Sequence, residues 1–286
     1  MSRALRVRGS SALILAVATA AGLMMFLWPL FVTVSDNGEH ARDAPLVFAL
    51  ILPVVIAVVV AELNSGGLDV KALAMLGLLG GVGAALRPLG AGTAGIETVF
   101  FLLVLAGRVY GAGFGFVLGV VTLFTSALLT GGVGPWLPFQ MLGAAWVGLG
   151  AGLLPRARGR AEIVLLAAYG AFAAYAFGFL LNMWFWPFAA GTFTGDGSNP
   201  GLQFVPGDPV WQNLRRFFWF TVATSTWGWD TGRAITNVVA VSALGRPVLA
   251  ALRRAERKAR FDREVRFTDG GDGGDAGRGG YDASLT

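Results

Sequence analysis

The chain has no cysteine and one histidine, and only 14% of its residues are charged. The first absence removes disulfides and thiolate metal sites. His40 stands in a polar connection with no second histidine or carboxylate at ligand spacing on a helix, so it reads as a loop residue; neither a metal nor a cofactor is expected. Also missing are His-Glu-x-x-His, Gly-x-Ser-x-Gly and Gly-x-x-x-x-Gly-Lys-Ser/Thr. No nucleophile and base pair is recognisable, which argues against an intramembrane enzyme. A P-loop of its own is excluded too, so an energised task needs a partner. The shortage of charge rules out a soluble domain, in which about a quarter of the residues would be charged.

What is present instead is apolar length. Hydrophobic residues make up 55% of 286 positions and mean hydropathy is +0.64. Long continuous runs predict helices rather than a barrel, and 42 glycines spread through those runs suit close helix contact. The fold class expected is an all-α polytopic membrane protein. Arg3, Arg6 and Arg8 precede an apolar run from Ala12 to Val34. Ala18-Thr19-Ala20 resembles a signal-peptide cleavage site but lies inside that run, so a retained membrane helix is expected. Further spans are expected over Pro45–Ala61, Lys71–Leu86, Glu97–Arg108, Phe114–Thr130, the stretch after Gln140 to Leu154, Ala161–Phe188, and Asn213–Leu244, about eight in all.

Charge placement orients them, because Lys and Arg in short loops prefer the cytoplasm. With the N-terminus inside, Lys71, Arg108, Arg156, Arg158, Arg160 and the tail arginines also fall inside, while Asp36, Glu39, Asp43, Asp196 and Asp208 fall outside. Arg42, Arg87, Arg215 and Arg216 run against the trend. A membrane protein with both termini cytoplasmic is therefore expected. Arg246 to Arg266 carries eight Lys/Arg and three Asp/Glu and reads as a basic helix near anionic lipid or a partner. No aromatic-basic module accompanies this charge, so nucleic acid is not an expected partner. From Thr268 onward, Gly and Asp repeat as in a disordered tail.

The most informative stretch is Asn213–Leu244. At about 100° per residue, Trp219, Thr226, Asp230, Arg233 and Asn237 form one stripe on an α-helix. Ionisable groups at bilayer depth face a bundle interior or a cavity. Asp230 and Arg233, three apart, can form an ion pair that locks the bundle, and Trp219, Trp227 and Trp229 can add aromatic surface for a flat organic ligand. On Lys71–Leu86, Ala74, Gly77, Gly81 and Ala84 share one smooth face, either packed internally or available to a separate membrane subunit.

Three segments, Val104-Leu105-Ala106-Gly107-Arg108-Val109-Tyr110-Gly111, Gly134-Pro135-Trp136-Leu137-Pro138-Phe139-Gln140-Met141 and Trp229-Asp230-Thr231-Gly232-Arg233-Ala234-Ile235-Thr236-Asn237, carry a resemblance. From about Val70 to Ala255 the chain resembles the substrate-binding S components of energy-coupling factor (ECF) vitamin transporters, of an actinobacterial type. The resemblance implies a six-helix core at 70–245, with residues 1–69 as two additional transmembrane helices, 246–267 as the basic cytoplasmic helix and 268–286 as the tail. It implies docking on a membrane T component driven by two ABC ATPase subunits, through small residues matched here by Ala74, Gly77, Gly81 and Ala84, with Gly in place of Ala at two positions. It also implies a vitamin site in the outer half, near Glu97, Trp136, Gln140, Asn182, Trp186, Trp219, Thr226, Trp227, Asp230, Arg233 and Asn237. Amides at Gln140 and Asn182 suit a vitamin's polar edge, Glu97 is equally a helix-start residue, and the tryptophans are equally an interfacial belt. Cobalamin is the favoured vitamin, with riboflavin or another flat heterocycle open. The alternative from another class is an autonomous secondary transporter that uses Asp230 and Arg233 at the midplane, although no two-half repeat is visible.

Overall fold

The structure is a computed structural model that describes residues 9–30, 57, 70–90, 95–189, 201–205 and 207–264. Everything regular among them is helical: α1 Gly9–Phe26, α2 Val70–Leu86, α3 Val99–Tyr110, α4 Ala112–Thr130, α5 Leu137–Leu153, α6 Gly159–Ala189, α7 Val210–Thr221, a π-helical segment Val222–Asp230, and α8 Thr231–Glu264. Residues 112–130, 159–189 and the continuous helix 210–258 are long and apolar enough to cross a membrane. Helices α1, α2, α3 and α5 are apolar but shorter. The span expected over Pro45–Ala61, the polar link with His40 and the tail from 268 lie outside the described residues, Ala57 apart.

Observed boundaries follow the apolar runs closely, with one exception. Helix α8 passes without interruption through the expected division at 245 and carries the basic stretch on to Glu264. Leu249 and Leu252 are buried, and Tyr110 donates to the Leu252 carbonyl at 3.2 Å, which holds the extension against the bundle.

Glycine sets the tightest contacts. Helices α3 and α4 meet at Gly111, whose φ of 100° is open to glycine at no steric cost. Helices α4 and α5 cross backbone to backbone: a Cβ on Gly115 would meet the Gly148 carbonyl, and a Cβ on Gly148 would meet that of Gly115. Gly119 meets Ala144 in the same way, so one face of α4 lies against small residues of α5.

Helix α1 seats Phe26 against Phe139 and Trp146, at ring separations of 5.1 and 5.4 Å. Trp28, just beyond it, donates to the Trp184 carbonyl at 3.3 Å. At one end of the bundle, Arg108 binds Glu162 at 2.9 Å and the Leu154 and Pro155 carbonyls at 3.0 Å each. Arg253 reaches the same Glu162 oxygen at 2.6 Å. This clasp gathers α3, the carbonyl end of α5, α6 and α8. Arg108 also places positive charge where the α5 dipole is negative.

Candidate functional site

The functional geometry lies at the opposite end of the bundle and depends on the π-helix. In Val222–Asp230 the chain carries hydroxyls at Thr224, Ser225 and Thr226, followed by Trp227-Gly228-Trp229. Such hydroxyls compete for main-chain carbonyls. Thr224 Oγ1 donates to Phe220 O at 2.8 Å, Thr226 Oγ1 to Thr221 O at 3.2 Å, and Thr231 Oγ1 to Thr226 O at 2.6 Å. The last two span five residues, the π repeat.

This widened winding corrects the stripe drawn at constant α-helical pitch. Ser225, not Thr226, shares the inner face with Asp230 and donates to its Oδ2 at 2.9 Å. Upstream of the π segment the inward residues are Asn213, Phe217, Phe220 and Thr221. Trp219 is turned outward at 53% exposure and Trp227 at 79%. Downstream, α-helical spacing holds, and Asp230, Arg233 and Asn237 are buried at 1%, 6% and 0% exposure.

Arg233 is the hub. Its Nε and one terminal nitrogen bind the Glu97 carboxylate at 2.9 and 3.3 Å. The other terminal nitrogen binds Asp230 Oδ1 at 3.0 Å and the Ala174 carbonyl at 3.3 Å. The guanidinium lies 5.0 Å from the Phe177 ring centre and 5.5 Å from that of Phe100, within cation–π range. Glu97, placed at a helix start by the sequence, therefore reaches across to α8. Gly178 makes the arrangement possible, because a Cβ there would occupy the place of the Asp230 carboxylate.

Beside this brace is a cavity of about 270 Å³ between α6 and the π segment. Asn182, Phe185, Phe220, Thr224, Trp229 and Asp230 are on its wall, with Ser225, Arg233, Gly178 and Leu181. Asn182 Nδ2 is buried and has no hydrogen-bond partner among the described residues. Of the residues the sequence singled out, the structure brings Asn182, Trp229, Asp230 and Arg233 to this wall, with Glu97 behind Arg233.

The others fall elsewhere. Gln140 accepts from Arg87 at 2.9 Å, and Trp136, 45% exposed, donates to Gly132 O. Trp186 is buried among Phe204, Phe217 and Phe220 and donates to Leu202 O at 2.8 Å, a packing anchor for α7. Asn237 donates to Arg233 O at 2.9 Å and lies against Gly170, away from the cavity wall. Ser225, Thr224 and Gly178 were missed. For Thr224 and Ser225 the hydroxyl run was the only sequence signal, and the segment was read at the wrong helical period.

On α2 the two glycine faces separate. Gly80 and Gly83 face Val121 and Thr122 of α4, whereas added Cβ atoms at Gly77 and Gly81 would meet nothing within 4 Å among the described residues. Ala74 is exposed alongside them, but Ala84, expected on the same face, is fully buried. Among the described residues no group of three or more His, Cys, Asp or Glu side chains could hold a metal ion.

Residues 71–245 match the family model described as ECF transporter, substrate-specific component. Comparison with curated proteins and with solved structures gives no match.

Proposed function

From the premise that the chain belongs to the substrate-specific components of ECF transporters, we propose that it captures a small, vitamin-like molecule in the cavity between α6 and the π segment and releases it inward when docked on its partners. The observation that carries this reading is the cavity itself: partly polar and aromatic-lined, with Asn182, Thr224 and Asp230 beside Phe185, Phe220 and Trp229 on its wall. Binding sites of this kind combine apolar walls with a few placed polar groups. Asp230 and Arg233 brace the wall, since their charges are spent on each other, on Glu97 and on Ser225.

At about 270 Å³ the cavity falls just below the range of pockets for drug-sized ligands. That favours a one- or two-ring compound over cobalamin, which the sequence favoured. The partners proposed are a T component and two ABC ATPase subunits, with the face of Ala74, Gly77 and Gly81, open among the described residues, as the docking surface. The positive-inside distribution supports a plasma-membrane setting with cytoplasmic termini, and with it a cavity in the outer half.

Copurification and reconstitution test the proposal. Tagged protein should bring down a T subunit and ATPases, and proteoliposomes should take up substrate only when those are present and ATP is supplied. Accumulation against a gradient by this chain alone would overturn it.

A further inference from the structure

At the clasp end of the bundle, away from the cavity, positive charge collects on a surface that the substrate-capture reading does not use. Arg108 and Arg253 are both spent on Glu162, and Arg108 also holds the Leu154 and Pro155 carbonyls. The clasp thereby fixes the link between α5 and α6 against the C-terminal part of α8. Those two segments carry six further cations, Arg156, Arg158 and Arg160 on the first and Arg254, Arg257 and Lys258 on the second. All six are exposed, and none forms a salt bridge among the described residues. The acids of the same segments are Glu162, buried and bound twice, and Glu256, half-buried. The fully exposed charge is therefore all of one sign.

Like charges held side by side repel one another, and an anion shared among them relieves that cost. The neighbouring surface says which anion. Leu153, the last residue of α5, is 62% exposed and stands three residues before Arg156; Val164, 67% exposed, follows Arg160 by about one helical turn. Cations thus border directly on outward apolar side chains, the order in which a phospholipid presents its phosphate and its acyl chains. An acidic soluble surface matches only the charged half of that pattern. Arginine at five of the six positions suits a phosphate diester, whose oxygens its planar fork binds in pairs. We infer that this end of the bundle is a binding surface for anionic phospholipid, with the six cations sharing headgroup phosphates and Leu153 and Val164 against the acyl chains. The clasp serves that surface by keeping its two halves together.

The test uses the full chain purified in detergent, with phosphatidylglycerol, phosphatidylcholine and inorganic phosphate as probes, read by native mass spectrometry and thermal unfolding. Phosphatidylglycerol should stay bound and raise the unfolding midpoint, and the gain should shrink as salt is added. Phosphatidylcholine and inorganic phosphate should do neither. Arg156→Gln, Arg158→Gln and Arg160→Gln combined with Arg254→Gln, Arg257→Gln and Lys258→Gln should weaken phosphatidylglycerol binding by about tenfold or more. Lys at the five arginine positions should retain most of it, and Arg215→Gln, at an exposed arginine of α7 outside this surface, should change nothing. Either set of three Gln substitutions alone should give a partial loss, which reads the surface even where the combined variant does not fold. Equal retention of phosphatidylcholine, stabilisation by inorganic phosphate alone, or full phosphatidylglycerol binding in folded Gln variants would overturn the inference. Gln variants that keep the lipid but no longer copurify with ATPase subunits would assign the face to a partner protein and overturn it too.

Discussion

Arg233 shows how one side chain can hold a membrane bundle together. It bridges two carboxylates from different elements and a main-chain carbonyl, and it lies within reach of two aromatic rings. Removing one member of a buried ionic group strands the others, at a cost of about 3–5 kcal/mol. Arg233→Met should therefore lower the thermal unfolding midpoint sharply in detergent. Arg233→Lys should recover only part of the loss, since a single ammonium lacks the planar fork that spans Glu97 and Asp230; a midpoint unchanged in both variants would remove Arg233 from this role. The tryptophans separate just as cleanly. Trp229 is on the cavity wall and Trp227 is outside it, so Trp229→Ala should weaken ligand binding by about 1 kcal/mol or more while Trp227→Ala leaves it unchanged. A titration that reversed that order would relocate the site.

Among the elements, the π-helix and the glycine crossing do the most. Gly178 on α6 and the extra residue in the π turn together let the Asp230 carboxylate sit between two helices. Gly178→Ala should accordingly cost both stability and ligand affinity, whereas a methyl at Gly77, which would meet nothing among the described residues, should cost neither. A Gly178→Ala protein indistinguishable from wild type in both assays would show that α6 and the π segment are not held at this distance. Sequence periodicity reached these elements unevenly. Asp230, Arg233 and Asn237 were legible because the helix after Asp230 is a plain α-helix. Trp219 and Thr226 were misplaced because the same period was extended through a segment that does not keep it. Ala84 was misassigned for a subtler reason: one helix turn separates a face packed on α4 from a face left open, and small residues populate both. The outward tryptophans were ambiguous from the start, since the same residue type suits a binding wall and a headgroup belt.

At the scale of the whole molecule, a clasp and a cavity occupy opposite ends of one bundle. Arg108, Glu162 and Arg253 fasten four helices at one end, while the other end is held around a small polar hollow. The all-helical membrane fold followed from composition and apolar length, and the chain's place among ECF substrate-specific components agrees with the three segments that suggested it. The separation between cavity and open α2 face gives a prediction at this scale. Gly77→Leu should bind ligand with wild-type affinity yet support no uptake when reconstituted with partners, because its side chain would project from the face proposed for docking. Lost binding with lost uptake would instead make that face part of the bundle's own packing. The central claim is that the hollow beside Asp230 holds the transported molecule, and mass spectrometry of compounds released from the full chain purified from membranes tests it most directly. The account predicts one small molecule at close to one per protein, at much reduced occupancy in Asn182→Leu purified in the same way, because Asn182 lies on the cavity wall. An empty wild-type protein, or the same compound at the same occupancy in both, would contradict it.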